Sequence, residues 1–390
     1  MKKIEHLFIQ LLSLWLVACT EANKPIVEEQ PSFFESIVDS VVYPANEILV
    51  QTLGEGYAKL SSALSGRLAD IRVDVLHYYT LDPEGKRTLA SGIVSYPAQG
   101  EIDNVVLAEH ATVGSSREAP SEAKFVIESI LSSLGSLVIV TDYIGYGTTS
   151  ALPHTYLHVG STAQASIDMF FAAKEYMKML GKRLPDEIYV TGYSQGGASA
   201  LAVQKTVEAN HADSVHIKKV IAGGGPYDLL ALFDDVETRK LSQTAFIPMA
   251  IIGLNYGDKL GLDFGKLFNE PLLSNYHEWI ISKKYTLSEI NSFLGSDFLN
   301  SSFFSDETTN PEIAKLRSSL VKNSLTDWTP KAPIRLLHGT KDTTVPFYCS
   351  QHAYDSFKAK GCKVDLFPIP GADHGGAVAL YVIDVVSQIN

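Results

Sequence analysis

Residues 187–200 read Glu-Ile-Tyr-Val-Thr-Gly-Tyr-Ser-Gln-Gly-Gly-Ala-Ser-Ala. Ile188 to Thr191 favour an extended backbone, Gly192-Tyr193-Ser194-Gln195-Gly196 is a Gly-x-Ser-x-Gly turn, and a small-residue helix pattern runs from Gly197 to Val203. The order strand, sharp turn, helix predicts that Ser194 sits at the tip of the turn in a strained conformation. Glycines then flank it where a Cβ would collide with the adjacent strand or helix. The hydroxyl stands above the sheet at a helix N-terminus, whose free N–H groups favour developing negative charge. A Gly-x-Ser-x-Gly pattern also occurs by chance, so the flanking strand and helix patterns carry the reading.

Outward from this stretch, continuous apolar runs of strand length alternate with helix-length amphipathic segments. That alternation marks parallel strands covered on both faces, hence an α/β fold. The strands predicted are Asn104 to Ala108, Ser136 to Thr141, Glu187 to Thr191, Lys219 to Ala222, Ile334 to His338 and Lys363 to Pro368. Before them, the alternation from about Ala69 to Pro97, broken at Leu81-Asp82-Pro83-Glu84-Gly85-Lys86, predicts an antiparallel hairpin. Ser161-Thr162-Ala163-Gln164 reads as a capping-box start of a helix that ends near Gly181. Between the fourth and fifth of these strands, about a hundred residues from Asp228 to Pro330 lack parallel-strand runs but carry helical patterns at Phe246–Leu254 and Glu312–Leu320. A crossover needs far less chain, so the excess predicts an α-helical insertion leaving the sheet at the strand ends where Ser194 sits, as a cap over it.

The composition of the 390 residues, 45% hydrophobic and 19% charged, is that of a globular protein. A net charge of −12 with no Lys/Arg run excludes a nucleic-acid partner, which needs a basic face. Residues 1–18 read as a signal peptide: Lys2 and Lys3 precede an apolar run, Leu7 to Ala18, too short to span a bilayer. Leu16-Val17-Ala18-Cys19 resembles a bacterial lipoprotein cleavage box, which implies lipidation at Cys19 and anchoring in the bacterial cell envelope. Residues 19–44 then read as a tether, residues 45–227 and 331–390 as the core, and 228–330 as the cap. Cys349 and Cys362 are separated by a helical pattern closed by Gly361. A rise of ~1.5 Å per residue holds them beyond the ~7 Å that a disulfide spans, so both are expected free.

A serine hydroxyl needs a base to activate it and an acid to orient that base. Of the eleven histidines, His374 in Gly371-Ala372-Asp373-His374-Gly375-Gly376 follows the last strand, at the edge where Ser194 lies. Asp342 holds the equivalent place after the preceding strand; Asp373, adjacent to His374, is poorly placed to reach its ring. Ser194, Asp342 and His374 in this chain order resemble the catalytic constellation of the α/β-hydrolase superfamily. GYSQGG, DYIGYG (Asp142–Gly147), HTYLH (His154–His158) and the helical insertion are similar to the secretory-lipase family and related bacterial carboxylesterases, over about residues 45–390.

The resemblance implies an α/β-hydrolase fold, with a mostly parallel central sheet, helices on both faces and a helical cap. It implies hydrolysis of a small-molecule carboxylic ester through an acyl-enzyme, with no cofactor. Gln195 is one expected oxyanion donor, and Ala111 or Thr112 the second, in Glu109-His110-Ala111-Thr112 where many relatives have His-Gly. His110 then braces that loop and Asp142 fixes another. His154 and His158, spaced i, i+4, lack an acidic third ligand, so no metal is expected. Gly54-Glu55-Gly56 lacks the third glycine of a nucleotide loop. Two other readings stay open: a serine peptidase of the same fold, with Asp234, Asp235 or Glu237 meeting a substrate ammonium, and a non-catalytic binding protein on a hydrolase scaffold. Oligomeric state leaves no signature in the sequence.

Overall fold

The computed structural model describes residues 32–48, 66–236, 244–304 and 310–389. The signal peptide, Cys19, Gly54-Glu55-Gly56 and Glu237 lie outside the described residues. In chain order, the strands are β1 (Phe34–Tyr43), β2 (Ile71–Leu81), β3 (Arg87–Pro97), β4 (Asn104–Glu109), β5 (Ser136–Thr141), β6 (Glu187–Tyr193), β7 (His216–Gly223), β8 (Ile334–Gly339) and β9 (Val364–Ile369). The longer helices are α1 (Val159–Met179), α2 (Gln195–Asn210), α3 (Leu229–Asp234), α4 (Phe246–Asp258), α5 (Leu287–Phe293), α6 (Pro311–Asn323), α7 (Tyr348–Ala359) and α8 (Val378–Ile389). The strands form one sheet in the order β1-β2-β3-β5-β4-β6-β7-β8-β9. β1, β2, β3 and β5 pair antiparallel; β5, β4, β6, β7, β8 and β9 pair parallel.

Continuous burial is what a two-sided sheet demands, and all of β5 is buried. One face packs α1, α2 and α7 through Met169, Leu201 and Phe357 among others; the opposite face packs α8 and the 3₁₀ turn Ile127–Leu134 through Leu131, Tyr381 and Val385. The hairpin turns where expected. Asp82 Oδ1 accepts from the Glu84 and Lys86 amides at 2.9 Å each, and Gly85 takes φ +80°.

Two expectations need correction. Residues 34–43 are not tether but an edge strand, and the compact body begins at Phe33. β1 is largely exposed, so it lacks the alternation that would reveal it. Pairing with β2, the Phe34–Tyr176 ring stack at 5.5 Å, and donation from the Phe33 and Phe34 amides to Glu175 (3.2 and 2.8 Å) hold it. The second concerns α1, which starts at Val159 with His158 as its cap rather than with a Ser161 box. His158 Nδ1 accepts from the Ser161 amide (3.1 Å) and hydroxyl (2.8 Å). Gly181, at φ +70°, closes the far end. Cys349 and Cys362 form no disulfide with each other.

The chain between β7 and β8 carries α3, α4, α5 and α6, and gathers its own apolar cluster around Ile252, Leu254, Phe268 and Leu316. The patterns at Phe246–Leu254 and Glu312–Leu320 fall inside α4 and α6. Two polar ties fasten this segment to the sheet-bearing body. Lys283, 2% exposed, donates from Nζ to the Ser150 and Leu152 carbonyls at 2.8 and 2.5 Å, and burial pushes its ammonium down to about 8. Asp258, at the end of α4, accepts from His158 Nε2 (3.2 Å), Ser319 Oγ (2.6 Å), Asn323 Nδ2 (2.8 Å) and Lys322 Nζ. Removing one partner of a nearly buried charged network leaves the others unpaired. Asp258→Ala should therefore cost about 2–4 kcal/mol, read as a lower urea midpoint; a curve superimposable on the parent would show that the tie contributes nothing.

Candidate active site

Ser194 occupies the turn between β6 and α2 with φ 60° and ψ −123°, a conformation that costs a non-glycine residue about 1–3 kcal/mol and persists only where neighbours impose it. The Ser194 amide donates to the Gly223 carbonyl at 2.8 Å, and the Gly197 amide returns to the Ser194 carbonyl at 2.9 Å. A Cβ on Gly196 would overlap the Glu109 carbonyl oxygen, one on Gly192 the Gly196 carbonyl, and one on Gly197 would lie 2.6 Å from the Gly223 oxygen. The glycines are thus required by close backbone approach.

β8 and β9 end at the same edge of the sheet as β6, and their loops bring Asp342 and His374 to Ser194. His374 Nε2 lies 2.9 Å from Ser194 Oγ, and His374 Nδ1 lies 2.6 Å from Asp342 Oδ2. The carboxylate only accepts, so Nδ1 carries the proton and the Nε2 lone pair faces the hydroxyl. Tyr193 Oη donates to the His374 carbonyl at 2.6 Å, fixing the loop that carries the ring. Asp342 Oδ1 accepts from the Thr344 and Val345 amides at 2.9 Å each. Burial alone would push this carboxyl up; the His338 and His374 imidazoles outweigh it and hold it at about 2. Asp373 turns away: its Oδ1 accepts from the Gly376 amide at 2.7 Å.

Gln195 heads α2, where the first amides of a helix lack intrahelical partners. Ala111 and Thr112 lie on the loop after β4, and three tyrosines that sequence reasoning did not single out brace that loop. Tyr143 Oη donates to the His110 carbonyl (3.3 Å), Tyr146 Oη donates to the Val113 carbonyl (2.6 Å), and Tyr156 Oη lies 3.1 Å from Thr112 Oγ1. They belong to DYIGYG and HTYLH, so the signal was the motif's aromatic content. Buried His110 stacks on Tyr143 with centroids 4.1 Å apart, and burial lowers its pKa to about 4, which leaves it neutral. Asp142 is held by Ser91 Oγ (2.5 Å) and the Ser121 amide (2.8 Å). His154 bonds the Ile144 carbonyl (2.8 Å) and Gln195 Nε2 (3.3 Å), while His158 caps α1; the two rings serve different partners. Among the described residues no group of three or more His, Cys, Asp or Glu could hold a metal.

Residues 121–378 match the family described as secretory lipase. The chain belongs to the secretory lipase family. A secreted triacylglycerol lipase, LIP4 of Malassezia globosa, is 22% identical over 318 residues, covering 74% of this chain and 64% of that protein, so this chain spans a little under two thirds of its relative's length. Among solved structures, a ligand-bound form of the rice cell wall degrading esterase LipA from Xanthomonas oryzae is 25% identical with a TM-score of 0.75, covering 91% of this chain and 98% of that one. A putative hydrolase from Legionella pneumophila is 24% identical with a TM-score of 0.77, covering 91% and 97%, and shares the α/β-hydrolase fold.

In this member of the secretory lipase family Ser194 opens into a cleft of about 820 Å³, its mouth included. The walls are apolar and come largely from the inserted helices: Phe233 on α3, Phe246, Ile251 and Leu254 on α4, and Leu316 on α6. Tyr156 supplies the body's side and stacks on Phe246 at 6.3 Å.

Glu109 lies under the serine turn, fully buried, and accepts from Ser166 Oγ at 2.9 Å. Burial pushes its carboxyl to about 7, above the ordinary unfolded value. The folded chain therefore keeps a proton that the unfolded chain releases: this stability is full below about pH 4 and is lost as pH rises through about 7. Glu109→Gln should match the parent at pH 4 and exceed it at pH 8 by about 2–3 kcal/mol in urea unfolding. Equal differences at both pH values would contradict the shift.

Proposed function

We propose that this chain hydrolyses carboxylic esters by acyl transfer to Ser194. The observation that carries the proposal is the hydrogen-bonded run from Ser194 Oγ through His374 to Asp342 at the floor of an apolar cleft. His374 Nε2 takes the hydroxyl proton as Oγ attacks the ester carbonyl carbon. The oxyanion forms near the Gln195 amide and the braced loop at Ala111 and Thr112, which donate to it. As the tetrahedral intermediate collapses, His374 returns the proton to the departing alcohol. Water then attacks the acyl-enzyme with His374 again as base, releasing the carboxylic acid and restoring Ser194. Asp342, ionised across the working range, keeps the imidazole in the tautomer this cycle needs.

Residues 228–330 act as a cap whose apolar lining accepts the acyl chain, which favours esters of extended hydrophobic acids. Against the peptidase alternative, the two of its acidic residues that are described already have partners: Asp234 pairs with Arg317, and Asp235 accepts from Tyr348 Oη at 3.0 Å. The similarity of this chain to a secreted relative and its opening segment support export, with Cys19 bearing a lipid that holds the enzyme at the bacterial envelope.

Ser194→Ala should lower kcat by a factor on the order of 10⁶ on nitrophenyl esters, with the parent preferring medium or longer acyl chains over acetyl and over aminoacyl anilides; faster cleavage of the anilides would favour the peptidase instead. In a bacterial host, Cys19→Ser should move the protein from the membrane to the soluble envelope fraction. Unchanged partition would argue against the lipid anchor.

A further inference from the structure

Asp342 has a second histidine on its other flank. His338, in β8, is completely buried. Its Nε2 lies 2.8 Å from the Val345 carbonyl oxygen and 3.2 Å from Asp342 Oδ2. Its Nδ1 lies 2.6 Å from Ser350 Oγ on α7. Both atoms facing Nε2 are acceptors, so Nε2 bears the proton and Nδ1 accepts from the Ser350 hydroxyl. The tautomer is fixed from both ends, and Phe347 packs against the ring edge-on at 5.7 Å and 72°.

The Oδ2 atom that faces His338 is the one that accepts from His374 at 2.6 Å. The Thr344 and Val345 amides occupy Oδ1. A buried imidazole whose N–H edge lies 3.2 Å from the oxygen that His374 engages does two things. It stops the carboxylate rotating away from His374, and it draws off part of the negative charge that would otherwise raise that imidazole's basicity. Tyr193 at the end of β6 lies against His374 with ring centroids 5.2 Å apart, and Asp373, Lys341 and Cys349 adjoin His374, Asp342 and Ser350 along the chain; the His338 ring's own hydrogen bonds go to Val345 and Ser350, with Asp342 Oδ2 3.2 Å from Nε2.

We propose that His338, its tautomer set by Ser350, is a positioning residue that orients Asp342 and tempers its pull on His374. The inference rests on the hydrolytic reading above, since it concerns the acid of that triad. His338→Leu removes the donor, whereas His338→Gln keeps an N–H near the place of Nε2. With a nitrophenyl ester, His338→Leu should lower kcat by about 10–100-fold while KM stays within about twofold. The acid limb of its kcat/KM profile should move up by roughly half a pH unit, because a carboxylate no longer facing the His338 N–H edge favours the protonated imidazole. His338→Gln should recover most of kcat and the parental limb. Ser350→Ala, a smaller perturbation, should move both readouts in the His338→Leu direction by a lesser amount.

Parental kcat and acid limb in His338→Leu overturn the inference. So do equal losses in the Leu and Gln variants with an unshifted limb, which assign His338 to packing alone. If His338→Leu fails to fold, Ser350→Ala decides: an unchanged kcat and limb overturn the inference. Absence of parental turnover overturns the hydrolytic reading and this inference with it, whereas normal parental turnover with an indifferent His338 overturns this inference alone.

Discussion

The structure depends on one backbone constraint: Ser194 is forced to φ 60° between the end of β6 and the start of α2. A relaxed serine would lie along the strand or enter the helix, and its hydroxyl would not meet His374. The strain is met by packing that leaves no room for relaxation, since the start of α2 closes to within the reach of a single Cβ on β6 at Gly192, on the end of β4 at Gly196 and on the end of β7 at Gly197. The parallel order β4-β6-β7-β8-β9 then makes the meeting of three distant residues a matter of geometry. Strands that run the same way end on the same edge, so the loops after β6, β8 and β9 share one rim.

Around that rim, placement of polar groups is as consequential as the triad. The donors on Asp342 keep it charged despite burial. The tyrosines of the 142–156 segment hold the loop after β4 by its carbonyls. Further out, the inserted helices supply an apolar wall to the cleft into which Ser194 opens. That segment is tied to the body at Lys283 and Asp258, two charged residues with little access to solvent.

Much of this was legible because it is local. The parallel strands announce themselves as apolar runs, and the structure extends β7 back to His216 but otherwise places the six within a residue or two of their expected bounds. The serine turn is a motif of five residues, and the hairpin turn is written in Asp82 and Gly85. What failed was set by partners far along the chain. β1 has no amphipathic signature because it is an exposed edge strand, fixed by β2 and by Glu175. His158 serves as a helix cap only because Asp258, a hundred residues on, engages its other nitrogen. The tyrosine brace and His338 were invisible for the same reason: nothing in the composition of a motif says which hydroxyl or ring nitrogen meets which acceptor once the fold closes.

The central claim is that Ser194 is a nucleophile activated by His374. Peptide mapping by mass spectrometry after treatment with a fluorophosphonate tests it most directly. The account predicts a single adduct on the peptide bearing Ser194, formed rapidly by the parent and slowed by orders of magnitude in His374→Ala. An unmodified Ser194 in folded protein, or labelling that proceeds equally well without His374, would contradict it.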